Sequence, residues 1–224
     1  MTKFAFEVPL KHLDAFTDLQ DYLFALSFLM KDPRYVDYLK FAHVHKLLIL
    51  DNSFNELRRP QSADELWELS KKVNADYVIS PDSDAWTTRE LLDEYKAMKK
   101  VGFSREQILL PIRSTEEFAL ANAEGVKLFT IPYRYRPFFP ESFPWMKTHF
   151  LGLRDPLEVK MCRPLSCDTS MPVKLATKGI ELRTWILAIC PHEHTLPSYF
   201  DTEMTMSQVE LARRNIKQLK EMCE

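Results

Sequence analysis

Three aspartates that end or follow apolar, strand-like runs are the residues best suited to chemistry. Asp51 ends "KLLILD", Asp82 follows "DYVISP", and Asp168 ends "PLSCD". Two carboxylates across a pocket suit cleavage of a glycosidic bond, because one attacks the anomeric carbon while the other moves protons on the leaving group. A third carboxylate can accept hydrogen bonds from nucleobase donors. The structural alternative is that Asp-Asn and Asp-Ser simply form turns.

The elements that must position these aspartates alternate between β-type runs and amphipathic helical patterns. The predicted strands are 4–8, 46–50, 76–80, 107–112, 127–131, 148–153 and 164–167. The predicted helices are 14–30, 33–42, 62–73, 87–102, 114–125 and a closing C-terminal helix within 203–223. Strands separated by a helix at intervals of about 30 residues predict βαβ units and a parallel sheet.

Nearly every predicted strand carries a polar or special residue at its C-terminal end, and this pattern favours a barrel. The residues are Glu7, Asp51, Asp82, Asp84, Arg113, Arg134, Gly152 and Asp168. A ring of this kind is typical of a barrel mouth, whereas an open sheet gathers its ligands at one switch point. Neither GxGxxG nor GxxxxGK[ST] is present. We predict an α/β chain with a (β/α)8 TIM-barrel-like fold, incomplete or trimmed, as one domain over 1–224.

Composition places the chain among ordinary globular proteins. Hydrophobic residues make up 46% and charged residues 28% of the 224 residues, and the formal net charge is −2. The apolar runs are shorter than the roughly 20 residues that span a bilayer, and the N-terminus lacks a signal core. Four cysteines do not make a disulfide scaffold. The expected compartment is the cytoplasm, with no membrane partner.

Charge is unevenly distributed along the chain. Residues 127–183 carry a local charge of +5, so the remainder carries −7. A basic segment that includes the aromatic, proline-rich loop 132–145 could face a polyanion, or it could be a solvated face with the loop capping the barrel.

A metal site is the competing use of acids and histidines. The run "CPHEH" (190–194) brings ligand types together, but no CxxC partner or HExxH helix accompanies it. Cys162 and Cys167 flank a predicted strand, and core packing explains them better. We predict neither a metal nor another cofactor.

Five segments, in order, resemble the tRNA-guanine transglycosylase superfamily, and most closely its compact DNA 7-deazaguanine transglycosylases of phage and bacterial DNA modification. The segments are "LILDNSFNEL", "VISPDSD", "ILLPIRS", "THFLGL" and "CDTSMPVKLAT", within residues 45–180. The resemblance implies a glycosyltransferase that replaces guanine in a polynucleotide with a free 7-deazaguanine base through a covalent aspartyl-glycosyl intermediate.

The resemblance also implies a role for individual residues. Asp168 would be the nucleophile and Asp51 the general acid/base. Asp82 would hold the base, with Phe54 stacking on it and with contacts from Arg113, Gly152 and Leu153. Lys174, Arg134 and Arg136 would contact phosphates. The sequence departs from the family in lacking the double glycine after the first acid, in placing Arg113 where a glutamine is expected, and in lacking the zinc module. The missing module favours DNA over tRNA as the partner.

Three other functions remain open at this point. The first is a tRNA-guanine transglycosylase acting on RNA. The second is another barrel glycosidase, hydrolase or aldolase-type lyase that uses Asp168 and Asp51, for which Lys174 would matter as a Schiff-base amine. The third is a non-catalytic nucleic-acid-binding barrel.

Overall fold

The computed structural model describes residues 1–153, 155–187 and 196–224, and within them eight strands form one parallel sheet. The strands are β1 Lys3–Phe6, β2 Leu23–Leu26, β3 Leu48–Asp51, β4 Tyr77–Ile79, β5 Ile108–Pro111, β6 Leu128–Pro132, β7 Thr148–Leu151 and β8 Ser166–Thr169. Neighbours follow the order β1-β8-β7-β6-β5-β4-β3-β2. The sheet therefore curls into a nearly closed (β/α)8 barrel, and the predicted fold class is confirmed.

Side chains bridge the seam where the two ends of this order, β1 and β2, come together. Gln20 accepts a hydrogen bond from the Phe6 N–H at 2.6 Å and donates one to the Phe6 carbonyl at 2.8 Å. Asp21 accepts from the Phe4 N–H at 2.8 Å, and its own N–H donates to the Phe4 carbonyl. These contacts satisfy backbone N–H and carbonyl groups of β1 at the seam, where no regular β-sheet hydrogen bonding joins β1 to β2.

Helices follow most strands and cover the outside of the barrel. The α-helices in the described residues are α1 Pro33–His43, α2 Phe54–Leu57, α3 Ala63–Val73, α4 Thr88–Val101, α5 Thr115–Ala123, α6 Pro156–Cys162, α7 Met171–Thr177, α8 Leu182–Leu187 and α9 Met206–Cys223. Short 3-10 helices span Leu10–Leu19, Ser27–Lys31, Arg136–Phe138, Trp145–Lys147 and Pro197–Asp201. Ser62, Thr87 and Thr205 begin their helices with complete capping boxes, which satisfy otherwise unpaired N–H groups.

Two apolar clusters fill the molecule on either side of the sheet. The larger lies between strands and helices and includes Phe129, Phe150 and Ile216. The smaller fills the barrel interior and includes Ala5, Tyr22, Ile49, Ile79 and Leu109. Because strand residues point alternately to the two faces, every second residue of each strand belongs to the interior.

The predicted helix over 14–30 is wrong. The structure has a 3-10 helix at Leu10–Leu19, strand β2 and a second 3-10 helix at Ser27–Lys31 in this region. A parallel barrel strand is buried on both faces, so its continuous apolar run "LFAL" lacks the alternation that marks a half-exposed strand. The missed strand supplies the eighth member of the barrel.

The loop 132–145 packs against the core along most of its length and reaches the cavity at its beginning. Phe139, Phe143 and Trp145 are buried in one aromatic cluster, with ring centroids 4.7 to 5.9 Å apart, and cap the core. Tyr133 and Arg134 at its beginning instead line the cavity at the barrel mouth. None of the helices in the described ranges combines the length and apolar character that crossing a membrane requires.

Candidate functional site

A cavity of about 360 Å³ lies at the C-terminal ends of the strands, and ionisable side chains dominate its wall. The acids that line it are Glu7, Asp51, Glu56, Asp82 and Asp168. The cations that line it are Arg58, Arg134, Lys174 and Lys178. The barrel mouth is where enzymes of this fold place their reacting groups, so this cavity is the candidate active site.

Strand alternation explains why these acids face one another. Glu7 follows the interior residue Ala5 by two positions, and Asp51 follows the interior residue Ile49 in the same way. Side chains two residues apart share a face, so both carboxyls point into the barrel at its open end. Asp168 lies beside Ala5 in the parallel pairing of β1 with β8. Glu7 and Asp168 are therefore neighbours.

Asp168 is buried, only 3% exposed. Its Oδ1 accepts from the Gly152 backbone N–H at 3.1 Å, and the Nε2 of the His149 ring lies 3.1 Å from the same oxygen. Hydrogen bonds to a carboxylate stabilise its charged form. Gly152 has a φ of 68°, a left-handed conformation that suits glycine and turns its N–H toward Asp168.

Glu7 is the carboxyl that lies against Asp168. Burial and the neighbouring charge of Asp168, to which Glu7 is hydrogen-bonded, raise the pKa of Glu7 well above its ordinary value. Two buried carboxyls that share a hydrogen bond disfavour simultaneous ionisation. The environment of Glu7 therefore favours its protonated form.

Asp51 and Glu56 extend the acidic wall. Burial, followed by the charge of Glu56, raises the pKa of Asp51 well above its ordinary value, although the Ser53 N–H donates to its Oδ2 at 2.7 Å and opposes the shift. Burial likewise raises the pKa of Glu56, with a smaller contribution from the charge of Asp168. These two acids add to the proton-binding capacity around the Glu7–Asp168 pair.

Asp82 lies on the β4 side of the cavity and is held by Asn52. The Asn52 amide donates to Asp82 Oδ1 at 2.9 Å and to the Ser80 carbonyl at 2.7 Å. Burial raises the pKa of Asp82 to about 6, while the Asn52 hydrogen bond acts in the opposite direction. Asp82 therefore changes charge near neutral pH.

Asp82→Asn is expected to stabilise the fold above about pH 4, with the full effect reached above about pH 6. The raised pKa means that the folded state binds this proton more tightly than the unfolded state, so the stabilising contribution of the proton is complete below about pH 4 and is lost as pH rises through about 6. Urea unfolding should give matching stabilities at pH 4 and an advantage of about 3 kcal/mol for the variant at pH 7.5. An equal offset at both pH values would contradict this, and Glu210→Gln on the exposed face of α9 is the control.

The structure brings most of the predicted site residues together. Asp51, Asp82 and Asp168 line one cavity with Phe54, Gly152, Leu153, Arg134 and Lys174. Their convergence is observed, while the role of each in binding or catalysis stays a prediction. Arg134 is ion-paired with Asp84 and its guanidinium lies 4.9 Å from the Tyr135 ring.

Arg113 and Arg136 are predicted to contact the substrate, but neither is among the residues that line the cavity. Arg113 forms a 2.5 Å ion pair with Glu117 and bonds to the Ser83 carbonyl. The Arg136 side chain is only 3% exposed, pairs with Glu158 at 2.9 Å and donates to the Gly152 carbonyl at 2.7 Å. A guanidinium with these partners acts as a structural clamp, and its predicted contact to substrate phosphate stays a prediction.

The sequence indicated Glu7 only as a member of the ring at the barrel mouth, without a role, and it did not indicate His149, Glu56 or Asn52 as site residues. Glu7 carried a visible signal, because it ends an apolar strand as Asp51 and Asp168 do. His149 lies inside a predicted strand, and only the barrel's two-residue alternation places it on the same interior face as Leu151 at the mouth. Glu56 and Asn52 depend on the loop after β3, whose path the sequence does not reveal.

The run 190–194 lies outside the described residues. Among residues 1–153, 155–187 and 196–224, no group of three or more His, Cys, Asp or Glu side chains has the arrangement that could hold a metal ion. Cys167 is fully buried beside the barrel core, and Cys162 is partly buried against it, as core packing predicts.

Solved structures with the same architecture come from several bacteria. A protein from Pseudomonas aeruginosa assigned as a dihydrodipicolinate synthetase superposes with a TM-score of 0.56 and 9% identity, covering 97% of this chain and 98% of its own. The N-acetylneuraminate lyases from Mycoplasma synoviae and Fusobacterium nucleatum give TM-scores of 0.55 and 0.53 at 10% and 13% identity. Each match covers 97% of this chain, with 96% and 98% of the respective lyase. No protein-family model and no curated protein sequence matches the chain.

These comparisons overturn the transglycosylase resemblance. The three solved barrels above align over nearly their whole length and are a synthetase and two lyases by name, and no family model matches the five short segments behind the resemblance. Base exchange with a 7-deazaguanine and the assignment as a glycosyltransferase are therefore wrong. Acids at the C-terminal ends of parallel strands occur at barrel mouths in general, so the five segments matched features of the fold and not of one reaction. At this level of identity, the chain shares the (β/α)8 barrel fold with these proteins.

Proposed function

We propose that the chain is an aldol-type lyase that cleaves a carbon–carbon bond in a small hydroxylated carbonyl compound. The observation that carries the proposal is the Glu7–Asp168 pair, two hydrogen-bonded carboxyls at the wall of one cavity, where burial and the charge of Asp168 raise the pKa of Glu7. Such a pair supplies a base and an acid at the same point, and proton transfer by positioned groups accelerates reactions by about 10² to 10⁴-fold.

The two carboxyls suffice for a balanced cleavage. Asp168 takes the proton of the substrate's hydroxyl, and the electron pair of that O–H bond forms a new carbonyl. The carbon–carbon bond breaks, and its electrons pass to the second fragment as an enolate. Glu7 protonates the enolate carbon, so the pair still holds one proton at the end and only its position has changed.

The cations of the cavity support a substrate with an anionic group. Lys174 lies on α7, Lys178 directly follows the last residue of that helix, and both line the cavity. Arg58 lines it after β3 and is exposed, whereas Asp51 and Asp168 are buried. A carboxylate or phosphate on the substrate would bind toward these cations while its hydroxyl reaches the acids. The enolate formed on cleavage is also anionic, and nearby cations stabilise it.

A Schiff-base lyase is the second candidate, because Lys174 brings an amine to the same cavity. Two of the similar barrels are N-acetylneuraminate lyases by name, which makes lyase chemistry a natural comparison. Lys174 is placed on helix α7 rather than at the end of a strand. An imine there would require the substrate's carbonyl to approach the helix instead of the acid pair.

Borohydride reduction in the presence of pyruvate and related 2-oxo acids distinguishes the two routes. We expect cleavage of hydroxylated oxo acids without a reduced lysine adduct, and a Lys174→Met variant that retains turnover with KM raised about tenfold through loss of one charge contact. Mass spectrometry detects the adduct. A reduced adduct on Lys174 with loss of all turnover in the variant would establish the Schiff-base route. Lys160→Met, on exposed α6, is the matched control.

The panel of test substrates contains the hydroxylated oxo acids together with nitrophenyl glycosides and labelled DNA and tRNA. Paired carboxyls of unlike protonation also suit glycoside hydrolysis, so release of nitrophenol would replace the lyase with a glycosidase. Binding of DNA or tRNA, and residence in the cytoplasm, stay predictions. Arg136, one of the cations predicted to contact phosphates, is buried and paired with Glu158.

A further inference from the structure

A buried histidine lies directly behind Asp168. The His149 side chain is 0% exposed, and its Nε2 is 3.1 Å from Asp168 Oδ1. The ring is stacked on Phe24, with centroids 5.3 Å apart and an angle of 24° between the planes. His149 therefore cannot reach a substrate in the cavity except through Asp168.

The other ring nitrogen of His149 has hydroxyl partners. Its Nδ1 is 3.0 Å from Ser166 Oγ and 3.5 Å from the Tyr22 hydroxyl. Burial raises the pKa of Tyr22 well above its ordinary value, so this hydroxyl keeps its proton and can donate it. An Nδ1 that accepts from hydroxyls leaves the hydrogen on Nε2, where it points at Asp168.

The second donor to Asp168 is fixed as firmly as the first. The Gly152 N–H reaches Oδ1 at 3.1 Å, and the carbonyl of the same glycine accepts from buried Arg136 at 2.7 Å. Oδ1 thus accepts two hydrogen bonds already. The second oxygen of Asp168 is the better acceptor for the Glu7 proton.

We propose that His149 is a positioning residue that keeps Asp168 ionised and thereby assigns the shared proton to Glu7. The assignment deepens the proposed function, since it fixes which carboxyl is the base and which the acid before substrate binds. The other titratable or charged groups that act on this pair or line its cavity are Tyr22, Asp51, Glu56, Arg58, Asp82, Arg134, Cys167, Lys174 and Lys178. The acids among them oppose a charge on Asp168, and the His149 donor counteracts that opposition.

The test is a carboxyl-carbon NMR titration of protein labelled with ¹³C at Asp and Glu side-chain carboxyls. Glu7→Gln and Asp168→Asn identify the two resonances. In the wild type we expect Asp168 to be ionised and Glu7 protonated at pH 7. In His149→Leu the titration midpoint of Asp168 should rise by about one pH unit, a tenfold gain in proton affinity, and that of Glu7 should fall. His149→Gln restores an N–H donor near the Nε2 position and should titrate like the wild type.

Two results would overturn the proposal: an Asp168 titration that is the same in His149→Leu and wild type, or one that shifts equally in the Leu and Gln variants. Should His149→Leu not fold, ¹⁵N NMR of wild-type His149 decides the matter. Hydrogen on Nε2 is expected, and hydrogen on Nδ1 alone would exclude the donor role. Neither measurement needs turnover, so a failed lyase assay leaves the proton assignment standing on its own result.

Discussion

Replacing Asp168 with asparagine is expected to lower kcat for the cleaved substrate by at least about a thousandfold, within the range found for removal of a general base. The amide keeps the Oδ1 acceptor for His149 and Gly152, so the cavity should keep its shape. It cannot take a proton from a hydroxyl. KM should change little, because the loss concerns the transition state.

Steady-state kinetics on the best substrate of the panel measure this effect, with thermal unfolding to confirm that the variant is folded. Asp14→Asn, an exposed aspartate outside the cavity, serves as the control and should match wild type. Retention of more than a tenth of wild-type kcat by Asp168→Asn would remove Asp168 from the mechanism and end the acid–base proposal.

Glu7→Gln should stabilise the fold as pH rises. Burial and the charge of Asp168 raise the pKa of Glu7, so the folded state binds this proton more tightly than the unfolded state. The stability contributed by Glu7 is complete below its unfolded pKa, near 4.3, and is lost as pH rises through the folded pKa. Glutamine has no proton to lose and can still donate a hydrogen bond to Asp168. We expect the variant to exceed wild type in unfolding free energy at pH 8, with a difference that grows with pH and vanishes near pH 4.

Urea unfolding across this pH range, with Glu210→Gln as the control, provides the measurement. A difference that does not grow with pH would show that Glu7 is ionised in the folded state at neutral pH. In that case Glu7 could not serve as the acid of the proposed mechanism. The same variant should lose turnover, because it removes the acid of the proposed reaction. A substitution that relieves repulsion between neighbouring acids commonly gains stability and loses activity.

Much of the barrel follows from local rules that the sequence displays. Ser62 and Thr87 begin helices at the predicted residues because their side chains cap N–H groups in the first turn. Asp51 and Asp168 converge as predicted because the C-terminal ends of parallel strands meet at one edge. Strand β2 escaped prediction because its burial on both faces removes the two-residue alternation that separates strand from helix.

The remainder of the site depends on contacts between distant segments. His149 and Asp168 are 19 residues apart, and only the pairing of β7 with β8 brings the ring against the carboxyl. The sequence gives no sign that Arg136 is buried. Its guanidinium is held in the interior by the carbonyls of Leu151 and Gly152 and by the carboxylate of Glu158. The failed family resemblance had a related cause: it matched strand-end residue types, which the fold requires, without matching an arrangement specific to one reaction.

The seam bridged by Gln20 and Asp21 has a mechanical consequence. Glu7 directly follows strand β1, which pairs with β8, and β8 carries Asp168, so the two acids would move together. Asp51 ends β3, which pairs with β2 on the other side of the seam. Separation of β1 from β2 at the seam would therefore widen the cavity between Asp51 and the Glu7–Asp168 pair without separating the pair. A larger substrate could then bind while the two acids stay in contact.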